Sequence, residues 1–322
     1  MGLKISDRIF VAGHKGMVGS SILRILKKKG YKNLITVSKK KLNLENQSQV
    51  NNFFKKNKID FIFLCAAKVG GIYANDYFPA EFILKNILIQ TNVINAAHKN
   101  KINKLIFLGS SCIYPREDLR KIREDDILTG KLEMTNEPYA VAKISGIKMC
   151  ESFNRQYNTD YRSLMPTNMF GPGDNYHKLN SHVMAALIRK FIIAYRKKHK
   201  SVVVWGSGKP KREFLYIDDF ASASIYLAKM SKKKYHSFVP ERLNLVNIGY
   251  GKDFTIKHIA ELIKKYVGYK GKIVFDKRKK DGVQKKLLDN RLIRKLGWKP
   301  KEKFETALKN YIINIRDKII FD

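Results

Sequence analysis

A tyrosine and a lysine four residues apart, Tyr139 and Lys143, have the clearest chemical potential in this chain. On a helix this spacing places two side chains on one face, so the phenol and the ammonium can lie side by side. A free phenol has a pKa of about 10, and a neighbouring cation favours its ionised form. The pair is therefore predicted to exchange protons near neutral pH, as carbonyl reduction or oxidation requires when a hydride carrier is bound nearby.

A hydroxyl suited to the same chemistry lies upstream. The apolar segment 104–108 predicts a strand, and Ser110 follows it directly. In an open parallel sheet, ligands bind in the crevice at the carboxyl ends of the strands. Ser110 is expected to hydrogen-bond the reacting oxygen beside Tyr139.

The beginning of the chain predicts where the hydride carrier binds. A short apolar strand at 8–12 precedes an amphipathic helix at 17–29, and Gly13, Gly16 and Gly19 fall at the turn between them. Such glycines permit a tight turn, close approach of a pyrophosphate and close packing of helix on strand. The spacing is less specific than G-x-G-x-x-G, and glycines that only form a turn are the alternative. The predicted cofactor loop comprises Gly13, His14, Lys15, Gly16, Met17, Val18 and Gly19.

The end of the second predicted strand, 34–37, bears on the choice of cofactor. Sites for NAD usually carry an Asp or Glu there, whereas sites for NADP carry basic residues. The chain continues with Ser38, Lys39, Lys40 and Lys41, and the first carboxylate is Glu45. This pattern favours NADPH/NADP, with Lys39 as a contact, over the alternative of a solvated lysine run.

Composition narrows the class of protein. The 322 residues carry a net charge of +36, but the lysines are spread along the chain without a nucleic-acid-binding motif, so no nucleic-acid partner is expected. No apolar run is long enough to span a membrane, and no signal peptide is evident. The three cysteines have no metal-ligand spacing, so we expect no metal and a cytoplasmic location.

Alternation of strands and helices predicts the α/β class, a Rossmann-like doubly wound parallel sheet with a smaller C-terminal substrate-binding lobe. Residues 1–168, with a returning segment at about 212–250, are expected to form the NADP-binding domain. Residues 169–211 and 251–322 are expected to form the lobe, with long loops at 169–181, 206–215 and 268–286. The predicted strands lie near 8–12, 34–37, 59–66, 104–109, 161–166, 202–205 and 244–248. The predicted helices lie near 17–29, 45–57, 80–99, 137–157, 182–197, 218–230, 255–267 and 301–315.

Motifs along nearly the whole chain resemble the extended short-chain dehydrogenase/reductase family, and within it a GDP-sugar branch. The matching segments are AGHKGMVGS, AAKVGGIYAN, GSSCIYP, NEPYAVAKISGIKMCESFNRQY, YRSLMPTNMFGPGDNYH, NSHVMAALIRKF, VVVWGSGKPKREFLYIDD and KKDGVQKKLLD. The resemblance implies an NADPH-dependent enzyme that epimerises GDP-4-keto-6-deoxy-D-mannose at carbons 3 and 5 and then reduces carbon 4. Another nucleotide-sugar epimerase/reductase of the same family is the alternative.

The resemblance also assigns catalytic roles. It makes Ser110, Tyr139 and Lys143 the catalytic triad and Cys112 and His182 the epimerisation pair. The chemistry is consistent, because a thiol with a pKa of about 8.5 and an imidazole with a pKa of about 6.5 can exchange protons near neutrality.

Binding roles follow from the same resemblance. Lys190, Trp205, Arg212 and Asp281 are expected to bind the substrate, the two cations at its diphosphate. Position 190 is lysine where arginine also occurs in the family, and no proline precedes Asp281, so this loop can differ in shape. The further cofactor contacts are expected at Lys143, Pro166, Thr167, Asn168, Met169 and His182.

Assembly is predicted from helices 80–99 and 137–157, which carry apolar residues on more than one side. Such helices need a partner besides their own sheet. In enzymes that this chain resembles, these helices form a four-helix bundle between two subunits, which predicts a homodimer; cover by the lobe is the alternative. The residues concerned are Phe82, Ile83, Ile87, Leu88, Val93, Ile144, Ile147 and Met149.

Overall fold

The computed structural model describes residues 2–116, 120–178, 180–279 and 281–321. Its strands are β1 (Ile9–Ala12), β2 (Leu34–Ile35), β3 (Phe61–Leu64), β4 (Lys104–Leu108), β5 (Asp160–Pro166), β6 (Asn168–Phe170), β7 (Ser201–Trp205), β8 (Lys211–Tyr216), β9 (Leu245–Ile248), β10 (Asp253–Thr255), β11 (Lys272–Asp276) and β12 (Lys285–Lys286). Its helices are α1 (Met17–Lys28), α2 (Gln47–Lys56), α3 (Ile72–Tyr77), α4 (Pro79–Lys99), α5 (Glu137–Tyr157), α6 (Val183–Arg196), α7 (Ile217–Lys229), α8 (Lys232–His236), α9 (Ile256–Val267), α10 (Arg291–Lys295) and α11 (Phe304–Arg316).

A six-stranded parallel sheet forms the centre, in the order β2-β1-β3-β4-β5-β9. The strand β1 reads IFVA and β3 reads FIFL, and both are buried throughout. Continuous apolar strands of this kind are typical of parallel sheets that are covered on both faces. Because the chain leaves β1 for β2 on one side and then returns to β3 on the other, the crevice above β1 lies where the strand order reverses.

Helices cover both faces of this sheet. On one face, Ile22 of α1 and Phe220 of α7 belong to the same apolar core as Val11 of β1. On the other, Phe54 of α2 and Val93 of α4 pack with residues from the opposite side of the strands. The predicted doubly wound Rossmann-like fold is therefore confirmed.

The second half of the chain builds two further small sheets. Strand β8 pairs with β6 and β12 in parallel and with β10 antiparallel, and β7 pairs with β11. Helices α6, α9 and α11 share an apolar core with these strands. The predicted loops at 206–215 and 268–286 are therefore wrong in part, because they contain β8, β11 and β12. The strands there begin with or consist of charged residues, as in KREFLY for β8 and KK for β12, which conceals the strand pattern.

The helices α4 and α5 pack against each other. Phe82, Val93, Ile144 and Ile147 are buried within one chain, so these four do not need the outside partner that the sequence predicted. Leu84 on α4 and Val141 on α5 are 58% and 40% exposed. Within the described residues, no helix is both long and apolar enough to cross a membrane.

Candidate active site and cofactor cleft

The glycine loop has the geometry that a dinucleotide pyrophosphate requires. Gly13 has φ +83°, which favours glycine, and the Gly16 amide donates to the Gly13 carbonyl at 3.0 Å. A Cβ on Gly19 would lie 2.3 Å from the Gly13 oxygen, so the third glycine lets helix and turn pack closely. Gly16 is exposed, and a Cβ there would meet the Gly13 oxygen only at an ordinary 3.5 Å. The protein itself does not require glycine at position 16, whereas a ligand close to the α1 N-terminus would.

The basic turn after β2 is exposed, but one of its lysines is paired with a carboxylate. The strand ends at Ile35, two residues earlier than predicted. Lys39 is 77% exposed and its ammonium lies 2.9 Å from the Glu45 carboxylate. Lys40 and Lys41 are also exposed. A phosphate bound at this turn would compete with Glu45 for Lys39.

A tight turn at the end of β4 carries Ser110 and Cys112. Gly109 packs closely under Met165, and a Cβ there would lie 2.4 Å from the Met165 sulfur unless that side chain moved. Ser110 is extended and its hydroxyl accepts the Cys112 amide at 3.2 Å, which begins a short 3₁₀ turn over 111–113. Both side chains are half-buried, so both remain accessible from the cleft.

A buried polar cluster lies behind this turn. The Tyr114 hydroxyl donates to the Asn247 side-chain oxygen at 2.6 Å. The backbone amide of Asn247 donates to a Glu124 carboxylate oxygen at 3.0 Å. Glu124 is 8% exposed, and burial raises its pKa to about 7. Tyr114 thus joins the Cys112 turn directly to β9, and the next group in the hydrogen-bonded chain is a carboxyl that changes charge near neutrality.

Tyr139 and Lys143 share a face of α5, with the Lys143 ammonium 5.8 Å from the phenol ring centre. Lys143 is 3% exposed and donates to the Leu108 carbonyl at 2.8 Å. Burial lowers the pKa of Lys143 to about 8 and raises the pKa of Tyr139 above its ordinary value, although the Ser110 hydroxyl lowers it in part. The prediction that Lys143 brings the Tyr139 pKa down towards neutrality is therefore wrong for this structure, because burial dominates and the ammonium is directed at a carbonyl.

Sequence reasoning missed Gln90, which positions this helix. Its side-chain amide donates to the Ala142 carbonyl at 2.6 Å and to the Ser145 hydroxyl at 2.8 Å. A Cβ on Gly146 would lie 2.4 Å from the Phe107 ring, so α5 is held close to both β4 and α4. A polar residue inside the apolar face of a predicted helix was the available signal.

Cys112 lies close enough to both Tyr139 and the predicted substrate residue Arg212 to interact with them electrostatically. Interaction with Cys112 favours the protonated forms of both Tyr139 and Arg212, although burial lowers the pKa of Arg212 overall. Three predicted site residues from β4, α5 and β8 are thus close enough for their charges to interact. Cys112 follows the carboxyl end of β4 in the central sheet, whereas Arg212 lies on β8 in one of the smaller sheets.

His182 precedes the first residue of α6 and is exposed, yet its pKa is lowered by burial. Both descriptions fit a ring at the wall of a deep open cleft, surrounded by protein but reached by solvent. The segment before it is held by the Gly71 amide, which donates to the Asn180 carbonyl at 3.0 Å. A neutral imidazole at pH 7 can accept a proton. The hydrogen bonds of the described residues do not join His182 to Cys112.

An exposed aromatic ring with cations lies at the end of β7. Trp205 is 61% exposed, and the ammonium groups of Lys190 and Lys279 lie 5.1 and 5.4 Å from its ring centre. Lys190 also donates to the Val203 carbonyl at 2.9 Å. Lys279 was not predicted, although it lies two residues before Asp281. The arrangement suits a ligand that combines a flat ring with negative charge.

Arg212 and Asp281 lie close to each other. Arg212 donates to the Lys211 carbonyl at 2.8 Å and to the Val283 carbonyl at 2.5 Å. Burial lowers its pKa, which the nearby Asp281 carboxylate opposes. Asp281 accepts from the Ser207 amide at 2.8 Å and from its hydroxyl at 2.6 Å. The carboxylate keeps capacity for further hydroxyl donors.

The predicted cofactor segment Pro166, Thr167, Asn168 and Met169 connects β5 to β6. The Thr167 hydroxyl and the Asn168 side-chain amide both donate to the backbone carbonyl of Glu213 at 3.2 Å. The segment is thereby fixed to β8, the strand that carries Arg212.

Fold and site together define a dinucleotide-dependent enzyme with an acid–base constellation beside the cofactor cleft. The chain belongs to the NAD dependent epimerase/dehydratase family, whose model matches residues 9–248, and it is thus an NAD(P)-dependent enzyme. It is 50% identical to the GDP-L-fucose synthase of Escherichia coli (strain K12), over 94% of each chain.

Solved structures support the same grouping. A GDP-6-OMe-4-keto-L-xylo-heptose reductase from C. jejuni superposes with a TM-score of 0.92, at 32% identity over 99% of this chain and 100% of that one. A GDP-L-fucose synthetase from Naegleria fowleri bound to NADP superposes with a TM-score of 0.85, at 26% identity over 97% and 95%. The resemblance deduced from the motifs is confirmed.

Proposed function

We propose that this protein converts GDP-4-keto-6-deoxy-D-mannose to GDP-L-fucose by epimerisation at carbons 3 and 5 and reduction at carbon 4. The observation that carries the proposal is the proximity of Ser110 and Cys112 to Tyr139, with Arg212 within electrostatic range of Cys112, in a chain 50% identical to an enzyme of that name.

Epimerisation needs an oxygen site and two proton carriers. The 4-keto group acidifies carbons 3 and 5, and the enolate charge would collect on the oxygen that Ser110 and Tyr139 hold. Cys112 and His182 are proposed to remove a proton on one face of the sugar and to return one on the other. The lowered pKa of His182 keeps its ring neutral and able to accept that proton.

Reduction uses the same oxygen site. When bound, NADPH would supply a hydride to carbon 4, and Tyr139 is proposed to protonate the oxygen there. Lys143 holds the serine and tyrosine elements together through the Leu108 carbonyl and supplies positive charge beside the phenol. The charge of Lys143 is labile near its pKa of about 8 and would be favoured by a bound phosphate or ribose oxygen.

The cofactor fits residues that the chain itself leaves open. The loop from Gly13 to Gly19 would hold the pyrophosphate, and the exposed turn at Lys39 would hold a 2′-phosphate. Pro166–Met169, Lys143 and His182 are proposed to line its nicotinamide end. NADPH over NADH is the proposed preference because no carboxylate precedes Glu45 after β2.

The substrate is proposed to bind across the C-terminal lobe, formed by residues 169–211 and 251–322, together with β8, which pairs with strands of that lobe. Lys190 and Arg212 would neutralise the diphosphate, Trp205 would pack against the nucleotide, and Asp281 would accept hydroxyls. The support is the contact of the Lys190 ammonium with the Trp205 ring and the electrostatic pairing of Arg212 with Asp281.

A homodimer is proposed through α4 and α5. The monomer leaves Leu84 and Val141 exposed on these two helices, with Ile87 and Leu88 only partly buried. A twofold interface would cover the same residues on both copies.

The deciding experiment incubates the protein with NADPH and GDP-4-keto-6-deoxy-D-mannose, follows the loss of NADPH absorbance and identifies the sugar by NMR. Formation of GDP-L-fucose is expected. Reduction without epimerisation would favour a C4 reductase acting on a GDP sugar, and NADPH consumption only with a different nucleotide sugar would reject the proposal.

A further inference from the structure

The carboxylate of Glu213 is buried without an ion-pair partner among the described residues. Glu213 is fully buried in β8, next to Arg212. Neighbouring residues on a strand point to opposite faces, so Arg212 is directed towards Asp281 while Glu213 is directed away from the cleft. A buried carboxylate is costly unless it is well hydrogen-bonded, and its donors therefore indicate what it does.

Those donors come from segments far apart in sequence. One oxygen accepts the Gly251 amide at 2.6 Å and the Asn290 side-chain amide at 3.3 Å. The other accepts the Leu288 amide at 3.0 Å. Close packing accompanies these bonds, because a Cβ on Gly249 would lie 2.3 Å from the carboxylate. The carboxylate thus joins the loop after β9 to the segment after β12.

The second of these segments also shapes the surroundings of Arg212. Val283 accepts a hydrogen bond from the Arg212 guanidinium, and β12 pairs with β8 over Lys285 and Lys286. Glu213 then fixes the same segment at Leu288. One end of the segment therefore holds the guanidinium while the carboxylate holds the other end.

The main chain of Glu213 reaches the other side of the cleft. Its carbonyl accepts from Thr167 and Asn168, in the segment proposed to line the nicotinamide. One buried residue thus touches both the cofactor side and the support of the substrate arginine.

We infer that Glu213 is a positioning residue that sets the guanidinium of Arg212 for binding the diphosphate of the nucleotide sugar. This rests on the proposed function. The carboxylate suits the task because it accepts from backbone amides of both segments at once. Glutamine would turn its NH₂ group, which cannot accept a hydrogen bond, towards at least one of those N–H donors.

The test measures GDP and NADPH dissociation constants for the intact protein by calorimetry and fluorescence, without turnover. Glu213→Gln should weaken GDP binding about tenfold, as expected for a misplaced binding group. In an Arg212→Ala background the same change should weaken GDP binding less than about twofold, because the guanidinium that Glu213 positions is already absent. Glu261→Gln, a surface change of the same chemistry, is the matched control.

Every outcome of this experiment either supports or overturns the inference about Glu213. Equal weakening of GDP binding in both backgrounds would mean that Glu213 only supports the fold, and unchanged GDP binding in Glu213→Gln would also overturn the inference. A parent protein that does not bind GDP would overturn the proposed function and the inference with it. If Glu213→Gln fails to fold, Asn290→Leu removes one donor and keeps the carboxylate. It should then give a smaller loss of GDP affinity that again depends on Arg212, and an effect independent of Arg212 would overturn the inference.

Discussion

Replacing Glu124 with glutamine should remove a pH-dependent penalty on folding. Burial is the main cause of the raised pKa of Glu124, with Asp289 and Asp125 adding to it, and the folded value is about 7 against an ordinary 4.5. Between these values the folded chain binds a proton that the unfolded chain releases. Stability is therefore lost as pH rises from about 4.5 to about 7, and the loss is complete above that range.

The size of the effect follows from these two values. Each pKa step is worth about 1.4 kcal/mol, so the penalty at pH 8 is on the order of 3 kcal/mol, most of it acquired above about pH 5. Glutamine keeps an oxygen that can accept the Asn247 amide. Relative to the parent, Glu124→Gln should gain about 2 to 3 kcal/mol in free energy of unfolding between about pH 5 and about pH 8.

Urea unfolding of parent and variant at matched pH values is the assay, and the difference between the two proteins cancels other titrating groups. Glu261→Gln, on an exposed face, should show no such pH-dependent difference. A Glu124→Gln difference that stays constant across this range would show that Glu124 is already ionised at low pH and would refute the reasoning.

Other predictions address the chemistry, the cofactor and the assembly. Tyr139→Phe should abolish hydride transfer to substrate, seen as NADPH left unoxidised. Cys112→Ser should slow solvent deuterium exchange at carbons 3 and 5 by about 10²–10⁴-fold, and exchange at the parental rate would make the thiol a packing residue. Changing both Lys39 and Lys40 to Asp should reverse the preference for NADPH. Equal affinities of the parent protein for NADPH and NADH would show that these lysines do not select the cofactor. Sedimentation should give about twice 37.3 kDa, and a fully active monomer at micromolar concentration would exclude the dimer.

Most of what the sequence could predict depends on residues that lie close together along the chain. The glycine turn and the shared helix face of Tyr139 and Lys143 depend on residues within a few positions of each other, and both are found where expected. The wrong pKa expectation for Tyr139 has a different origin, because burial depends on chain segments that sequence spacing does not reveal. The same limit applies to Gln90, whose partners lie more than fifty positions away.

The lobe was harder to predict for a related reason. Strand β8 reads KREFLY, where two cations and a glutamate precede the apolar residues, and only its pairing with three other strands identifies it as a strand. Glu213 looks like one more surface charge in that segment. Its three donors come from residues 38 to 77 positions further along the chain.

The glycine loop and the Ser110 turn lie at the carboxyl ends of the central strands, so the opposite edge of that sheet is available for handling the protein. The turns between helices and strands there include Lys101, which is exposed at the end of α4. Coupling to a solid support through that edge, or fusing a reporter within that turn, would leave the openings for nucleotide and sugar facing away from the attachment. An immobilised form made this way should keep its turnover, while random coupling through the many lysines would also block the cleft.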